Sequence, residues 1–395
     1  MDFDNQERTY VQKVYPTVNN EDLLEFRIPA NVKANLCLSH VLLRFMLKLP
    51  KNDKIPNVPE NLLGAKQFSS VEIRMNGDAV SRRSCANEYY LGAYFQFLTN
   101  FASDYACTSC KSFGIFDTYM ISRDTLKNNP SLTAQIIPGR KGINDDECFE
   151  ILMPIESSIF SCNSNLPTNT SIDISFERLN SKFSLITKED HEDLPNYLTL
   201  EDPFLIVPFT NDFDLQNDEK NAISRPIKLN FDDYVINRFN ISKESPNVRL
   251  SNILSGPLPG KLFWGIMKLQ GYAGSFEHPS VHFTRHGVKK TTLYLDGNAL
   301  SGFPIITAEN AVSIPFNRFM TNTNRFMNNY SSQTIDPRDF KNYHFINSAI
   351  LPQASGSLTF DFDFDATPTE DLVLITCSLF DRRMEIDNFR NFKVS

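Results

Sequence analysis

The sequence predicts an all-β protein built from two tandem β-domains of similar size. Three observations carry this. Apolar and polar residues alternate with period two in many short runs. Asn-Gly or Asp-Gly closes two of those runs, at Gly77 and Gly297. Composition is β-like, with 33 Phe against a single Trp, and 22 Pro that, with abundant Asn, mark loops. At 395 residues and 41% apolar, the chain has ample material for buried cores.

Taken in order, Val41, Leu43, Phe45, Leu47 and Leu49 fall on one face of a strand, with Arg44 and Lys48 on the other. Val71, Ile73 and Met75 alternate with Glu72 and Arg74 and run into Asn76-Gly77. This dipeptide tolerates the two positive φ angles of a type I′ hairpin. Asn87 to Phe101 carries aromatics at three- and four-residue spacing and predicts a helix. Ile172, Ile174 and Phe176 alternate with Asp173, Ser175 and Glu177.

The second half repeats this order. Leu293 and Leu295 lead into Asp296-Gly297. Ala308 to Met327 is a weaker helical segment, broken by Pro315. Leu358, Phe360, Phe362 and Phe364 then alternate with Thr359, Asp361, Asp363 and Asp365. The run Asp371 to Cys377 lacks alternation and predicts a strand covered on both faces. The turn glycines lie 220 positions apart and the later strands 186 apart. The first half therefore holds 34 surplus residues, expected as loop between Ala102 and Pro167. Lys188 to Pro195 reads as an acidic linker, which divides the chain into domains 1–195 and 196–395.

Charge and motifs narrow the function. The net charge is −8, with no basic run at either terminus, which argues against a chain whose task is neutralising phosphates. No apolar stretch reaches the length of a membrane-spanning helix, and the polar N-terminus does not read as a secretory signal. Seven cysteines, an odd number, read as reduced thiols of a protein assembled inside a cell. On that reading the sequons at Asn169, Asn240 and Asn329 are chance matches.

His278, His282 and His286 would converge on a metal if helical. The segment holds Pro279 and reads as extended, which spreads them too far for one ion. Asp361, Asp363 and Asp365 resemble the start of a calcium loop, but Ala366 and Leu372 stand where glycine and an acid are needed. They read as the wet face of a strand. Cys107 and Cys110 form a lone pair with no second half-site and read as two loop thiols. No phosphate loop, nucleophile elbow or His-Glu-x-x-His motif is present. Paired carboxylates of the glycosidase kind leave no mark in sequence, because their spacing is spatial. The sequence therefore assigns no catalytic, cofactor-binding or metal-binding residue, no cofactor, and no enzyme activity.

Five segments carry a family resemblance. Leu258-Pro-Gly-Lys-Leu-Phe-Trp-Gly-Ile266 is followed by Gly271-Tyr-Ala-Gly-Ser-Phe-Glu-His-Pro279 and Thr292-Leu-Tyr-Leu-Asp-Gly297. The chain closes on Leu379-Phe-Asp-Arg-Arg-Met-Glu-Ile-Asp387 to Asn391. Ser70 to Gly77, with Tyr89, Tyr90 and Tyr94, supplies the matching first-half element. Over most of 65–395 the chain resembles the major capsid proteins of Maverick/Polinton transposons and adintoviruses. That resemblance implies a double jelly roll of the adenovirus-hexon lineage: two tandem eight-stranded jelly rolls with short helices in loops. It also implies a homotrimer forming pseudo-hexameric capsomers that tile an icosahedral shell around a DNA genome. Neighbouring capsomers and a vertex (penton) protein would be the partners, the virion the location, and direct nucleic-acid binding weak. Two other readings stay open on the residues alone. One is a tandem jelly-roll carbohydrate-binding protein or hydrolase, against which a single Trp argues. The other is a minor or vertex capsid protein, against which the duplicated pattern argues.

Overall fold

The computed structural model describes residues 8–31, 34–50, 57–80, 88–100, 112, 114–115, 120–129, 148–160, 162, 165–166, 169–187, 194–211, 227–307, 312–323, 337–387 and 392–394. Cys107, Cys110 and most of the 188–195 linker lie outside the described residues. The first half holds β1 (Arg8–Val14), β2 (Pro16–Asn19), β3 (Leu23–Ile28), β4 (Asn35–Cys37), β5 (Leu42–Lys48), β6 (Asn57–Pro59), β7 (Phe68–Met75) and β8 (Asp78–Ala79). Helices α1 (Glu88–Asn100) and α2 (Arg123–Asn128) follow. Then come β9 (Cys148–Pro154), β10 (Asn165–Leu166), β11 (Ile172–Arg178), β12 (Leu185–Thr187) and β13 (Thr199–Asn211). The second half holds β14 (Ile227–Ile241), β15 (Asn247–Pro257), β16 (Lys261–Lys268), α3 (Leu269–Tyr272), β17 (Val288–Leu295), β18 (Asn298–Ala299) and β19 (Ile305–Ile306). It ends with α4 (Ser313–Asn322), α5 (Pro337–Tyr343), β20 (Asn347–Ile350), β21 (Ser355–Phe364), β22 (Leu372–Ile386) and β23 (Phe392–Val394).

Sheet order reveals the architecture. In the first half one sheet contains β1-β13-β5-β9 and the other β3-β11-β7-β8. In the second half the matching orders are β14-β22-β16-β20 and β15-β21-β17-β18. Counting only these eight strands in each half, both halves read 1-8-3-6 and 2-7-4-5. All their pairings are antiparallel. Two facing four-stranded sheets with this connectivity make a jelly roll. The short strands β2, β4, β6, β10, β12, β19 and β23 are additions to that frame.

The duplication holds at the level of single hydrogen bonds. Met75 pairs with Ile172 and Ile73 with Ile174; Leu295 pairs with Leu358 and Leu293 with Phe360. Asn76 and Asp296 sit at φ 50° and 48°, followed by Gly77 at 92° and Gly297 at 83°, the two positive angles of a type I′ turn. Asn76 Oδ1 accepts the Ser171 N–H at 2.8 Å, and Asp296 Oδ1 accepts the Ser357 N–H at 2.8 Å. Ile172, Ile174 and Phe176 lie in one buried cluster, Leu358, Phe360 and Phe362 in another. The alternation thus sends each trio into its own core.

Two boundaries fall differently from the sequence reading. β13 pairs with β1 and β5, so it completes the first roll. The change of sheets comes between Asn211 and Ile227, not at 195/196. The physical reason is that a jelly roll needs its eighth strand between its first and third. The surplus of the first half is not one loop either. It is interrupted by β9, with 68 residues between β8 and β9 against 47 between β18 and β20, and 17 against 4 on the far side.

Both expected helices form. α1 buries Tyr89, Tyr90, Leu91, Ala93, Tyr94, Phe95, Phe97 and Leu98, so it is apolar almost all round and packs inside the molecule. α4 starts at Ser313, which puts Pro315 in the first turn, where its missing N–H has no partner to lose. Leu372 to Ser378 is buried throughout, as expected for a strand covered on both faces.

Candidate functional site

The seam between the rolls is built from the two faces of one sheet. In β16, Leu262, Trp264 and Ile266 point into the second core, while Phe263 and Met267 join the first cluster. In β22, Leu372 and Leu374 go inward and Val373, Ile375 and Cys377 outward. That outer face is roofed. A Cβ on Gly265 would lie 2.5 Å from Phe283 and 2.7 Å from Ile346. Phe283 in turn lies 5.3 Å from Tyr94 and 6.0 Å from Phe95 of α1, ring centre to ring centre. Tyr94 Oη and His344 Nδ1 share a hydrogen bond of 2.8 Å.

The stretch between β16 and β17 docks onto the first roll through its backbone. Ser275 N–H donates to Lys182 O, Thr187 N–H to Phe276 O, and Arg123 N–H to Glu277 O. Arg123 also donates to Glu277 Oε1 at 2.6 Å and to Thr187 O at 2.9 Å. Beneath these contacts lies a buried ion pair, Lys66 Nζ to Glu60 Oε2 at 2.6 Å. Ser280 of the second roll donates its N–H and its hydroxyl to the same carboxylate. Burial pushes the Glu60 carboxyl up, and Lys66 opposes this. Sequence spacing does not reveal this trio, since 220 residues separate Glu60 from Ser280.

Beside the seam lies a cleft of about 220 Å³. Its walls are the polar stripe Glu88, Gly92 and Gln96 of α1 with Tyr89, the segment Glu156 to Ile159, Asp233 and Tyr234 of β14, and Arg382 of β22. Burial pushes the Glu156 carboxyl up to about 8. Arg382 lies 3.5 Å from Asp233, which also accepts the Ser158 hydroxyl at 2.8 Å. The spacing of Glu88, Gly92 and Gln96 is the one sequence signal of this cleft: they are the gap in an otherwise apolar helix.

The outer face of the first roll's matching sheet has a different environment. There Val11 and Tyr15 are 61% and 65% exposed, and Leu42, Met46, Phe204 and Ile206 are half-buried. Tyr15 and Phe204 rings lie 6.0 Å apart, and Lys13 and Arg44 reach over the Phe204 ring at 4.6 and 5.3 Å, so this face mixes apolar and cationic groups.

Of the residues singled out from sequence, the histidines come near one another, with His282 close to both His278 and His286, but they are not arranged as a metal site. His278, His282 and His286 lie in irregular chain. His282 Nε2 engages Asn342 O at 3.0 Å, and His286 sits at φ 47°. Burial pushes the His286 imidazole down to about 4. Asp361, Asp363 and Asp365 each face a cation: Arg249 at 3.6 Å, Lys290 at 3.1 Å and Arg285 at 2.8 Å. The first two are cross-strand ion pairs, and Arg285, ahead of β17, reaches Asp365 just past the end of β21. Among the described residues, no group of three or more His, Cys, Asp or Glu is arranged to hold a metal. No helix among them is long and apolar enough to cross a membrane.

No protein-family model matches the chain, and a search of curated proteins returns no relative. Solved structures do match. A cryo-EM structure of the Sputnik virophage aligns over 100% of this chain and 91% of its own, with TM-score 0.65 and 9% identity. The crystal structure of the mavirus major capsid protein aligns over 98% and 90%, with TM-score 0.57 and 10% identity. The faustovirus major capsid protein aligns over 97% and 91%, with TM-score 0.55 and 9% identity. The likeness is one of fold, and the fold is the double jelly roll.

Proposed function

We propose that this chain is the major capsid protein of an icosahedral DNA virus or virus-like element, working as a homotrimer in the virion shell. The observation that carries the reading is the duplication: two eight-stranded rolls with the same strand order and hydrogen-bond register in one chain. Three such chains present six like units, the outline needed to tile a hexagonal net. The fold shared with the mavirus and faustovirus major capsid proteins supports this. So does the outer face around Val11, Tyr15 and Phe204. Its counterpart in the second roll is covered, so the duplication calls for a second copy of this chain as the missing cover. The role is structural, with neighbouring capsomers and a vertex protein as partners, and assembly takes place inside the host cell. Placement beside the Maverick/Polinton and adintovirus capsid proteins rests on the sequence resemblance.

Mass photometry at micromolar concentration tests the reading. The expected result is a particle of about 135 kDa, three times the 45.1 kDa chain, with a hexagonal outline in electron micrographs. The double variant Val11→Asp/Tyr15→Asp is expected to keep its β-sheet circular dichroism and run as a monomer. A wild-type protein that stays monomeric counts against the proposal.

A further inference from the structure

We propose that the core of the second roll holds a pair of ordered waters between the indole N–H of Trp264 and the side chains of Asn347, Thr376 and Ser378. All four residues are buried, and each has a polar atom with no hydrogen-bond partner among the described residues: Trp264 Nε1, Asn347 Oδ1, Thr376 Oγ1 and Ser378 Oγ. Strand register brings them together. Thr376 and Asn347 are the pairing partners of Trp264 on its two sides, and Ser378 pairs with Leu262. Directly paired residues share a face. This face carries Leu262, Trp264, Ala349 and Leu374 into the second core. The rings packed on Trp264 are those of Phe360 at 5.0 Å and Phe303 at 6.1 Å, and neither has an oxygen to accept the indole N–H.

The duplication shows what this face looks like when it is dry. The equivalent strands of the first roll, β5, β9 and β13, send large apolar side chains inward: Phe45 and Leu47, Phe149 and Ile151, Val207 and Phe209. On β20 and β22 the second roll has Ala349, Thr376 and Ser378, which are shorter and, in two cases, polar. Room and polarity therefore coincide, as a buried water requires. β22 is paired on both sides from Leu372 to Leu379, so the backbone groups beside Thr376 and Ser378 are committed to the two ladders. Trp264 Nε1 only donates, Asn347 Oδ1 only accepts, and the two hydroxyls do both. Water, which donates and accepts, matches that set. Asn347 and Thr376 stand two strand spacings apart, about 10 Å, a distance suited to two linked waters.

Trp264 is the single Trp of the chain, so tryptophan fluorescence reads this site unmixed. Thr376→Val keeps the shape of the side chain and removes the hydroxyl, which takes a partner from the water. The folding equilibrium constant is expected to fall roughly fivefold, read by urea unfolding at unchanged slope. The emission of Trp264 is expected to move to shorter wavelength as its N–H loses its hydrogen bond. Unchanged or raised stability, or unchanged emission, overturns the proposal, because a merely orphaned hydroxyl gains from replacement by a methyl. Should Thr376→Val fail to fold, a wild-type crystal structure fine enough to show ordered water decides. Water density within hydrogen-bond distance of Trp264 Nε1 supports the proposal, and a dry indole overturns it. The site lies inside one roll, so the outcome does not depend on whether the chain assembles into shells.

Discussion

Lys66 and Glu60 show what one side chain does at the seam. The pair is buried and Ser280 completes its hydrogen bonding across the rolls. Lys66→Met leaves a buried carboxylate with no cation, and the expected cost is about 3–5 kcal/mol, read as a lower urea midpoint at unchanged slope. His286 sets a different test. Its Nε2 is buried without a hydrogen-bond partner, and burial, with His282 and Lys268 nearby, holds the imidazole down at about 4. The unfolded chain, with an ordinary imidazole near 6.5, binds the proton more tightly. Stability is therefore full above about pH 6.5 and falls as pH drops toward 4, by up to about 3 kcal/mol. His286→Asn keeps the left-handed backbone and is expected to flatten thermal melting across pH 4–7. The histidine spacing was legible in sequence. Its meaning was not, because desolvation is set by residues far along the chain.

Single elements separate conformational strain from crowding. A Cβ at Gly297 meets nothing within 4 Å, so Gly297→Ala is expected to cost about 1 kcal/mol from the positive φ alone. Gly265→Ala instead drives a methyl into Phe283 and Ile346, and about 1–3 kcal/mol is expected from overpacking. It should also loosen the docked stretch 270–287. Urea unfolding reads the first quantity for both variants. Faster proteolytic cutting within 270–287, in Gly265→Ala alone, reads the second. The two Asx-Gly hairpins and the alternating strands β5, β7, β11, β17 and β21 were legible because each is encoded within ten residues, whereas the long strands β13, β14 and β15 were not singled out. β9 was not, although its Phe149, Ile151 and Met153 are buried in alternation. It is one short strand between long irregular stretches. α2 (Arg123–Asn128) lies inside the stretch between Ala102 and Pro167 where the surplus was expected as loop. Leu126 there packs with Val58, Ile121 and Ile186, so only residues beyond Asn129 remain candidates for trimming.

At the scale of the molecule, the excess of acid decides one behaviour. With net charge −8, the isolated protein is expected to bind duplex DNA no more tightly than about 10⁻⁶ M at about 0.15 M salt. Fluorescence anisotropy with a labelled duplex measures this, and submicromolar binding would contradict it. The order of the rolls has a second consequence. The acidic stretch 188–195 has linker composition, yet the chain after it returns to finish the first roll as β13. Composition reports local solvation, whereas a jelly roll closes through its last strand.

The sequence by itself determined the two β-units, their Asx-Gly turns and the faces of β5, β7, β11, β17 and β21, because period-two alternation and positive-φ turns are local properties. It also determined that the Asp361, Asp363 and Asp365 face is wet. Only the tertiary structure decided which strand ends the first roll, which sheet face is roofed and which is partly exposed among the described residues, and that Glu60, Lys66 and Ser280 meet at the seam. Those facts depend on burial and on contacts between residues as far as 250 positions apart. Neither leaves a periodic trace along the chain.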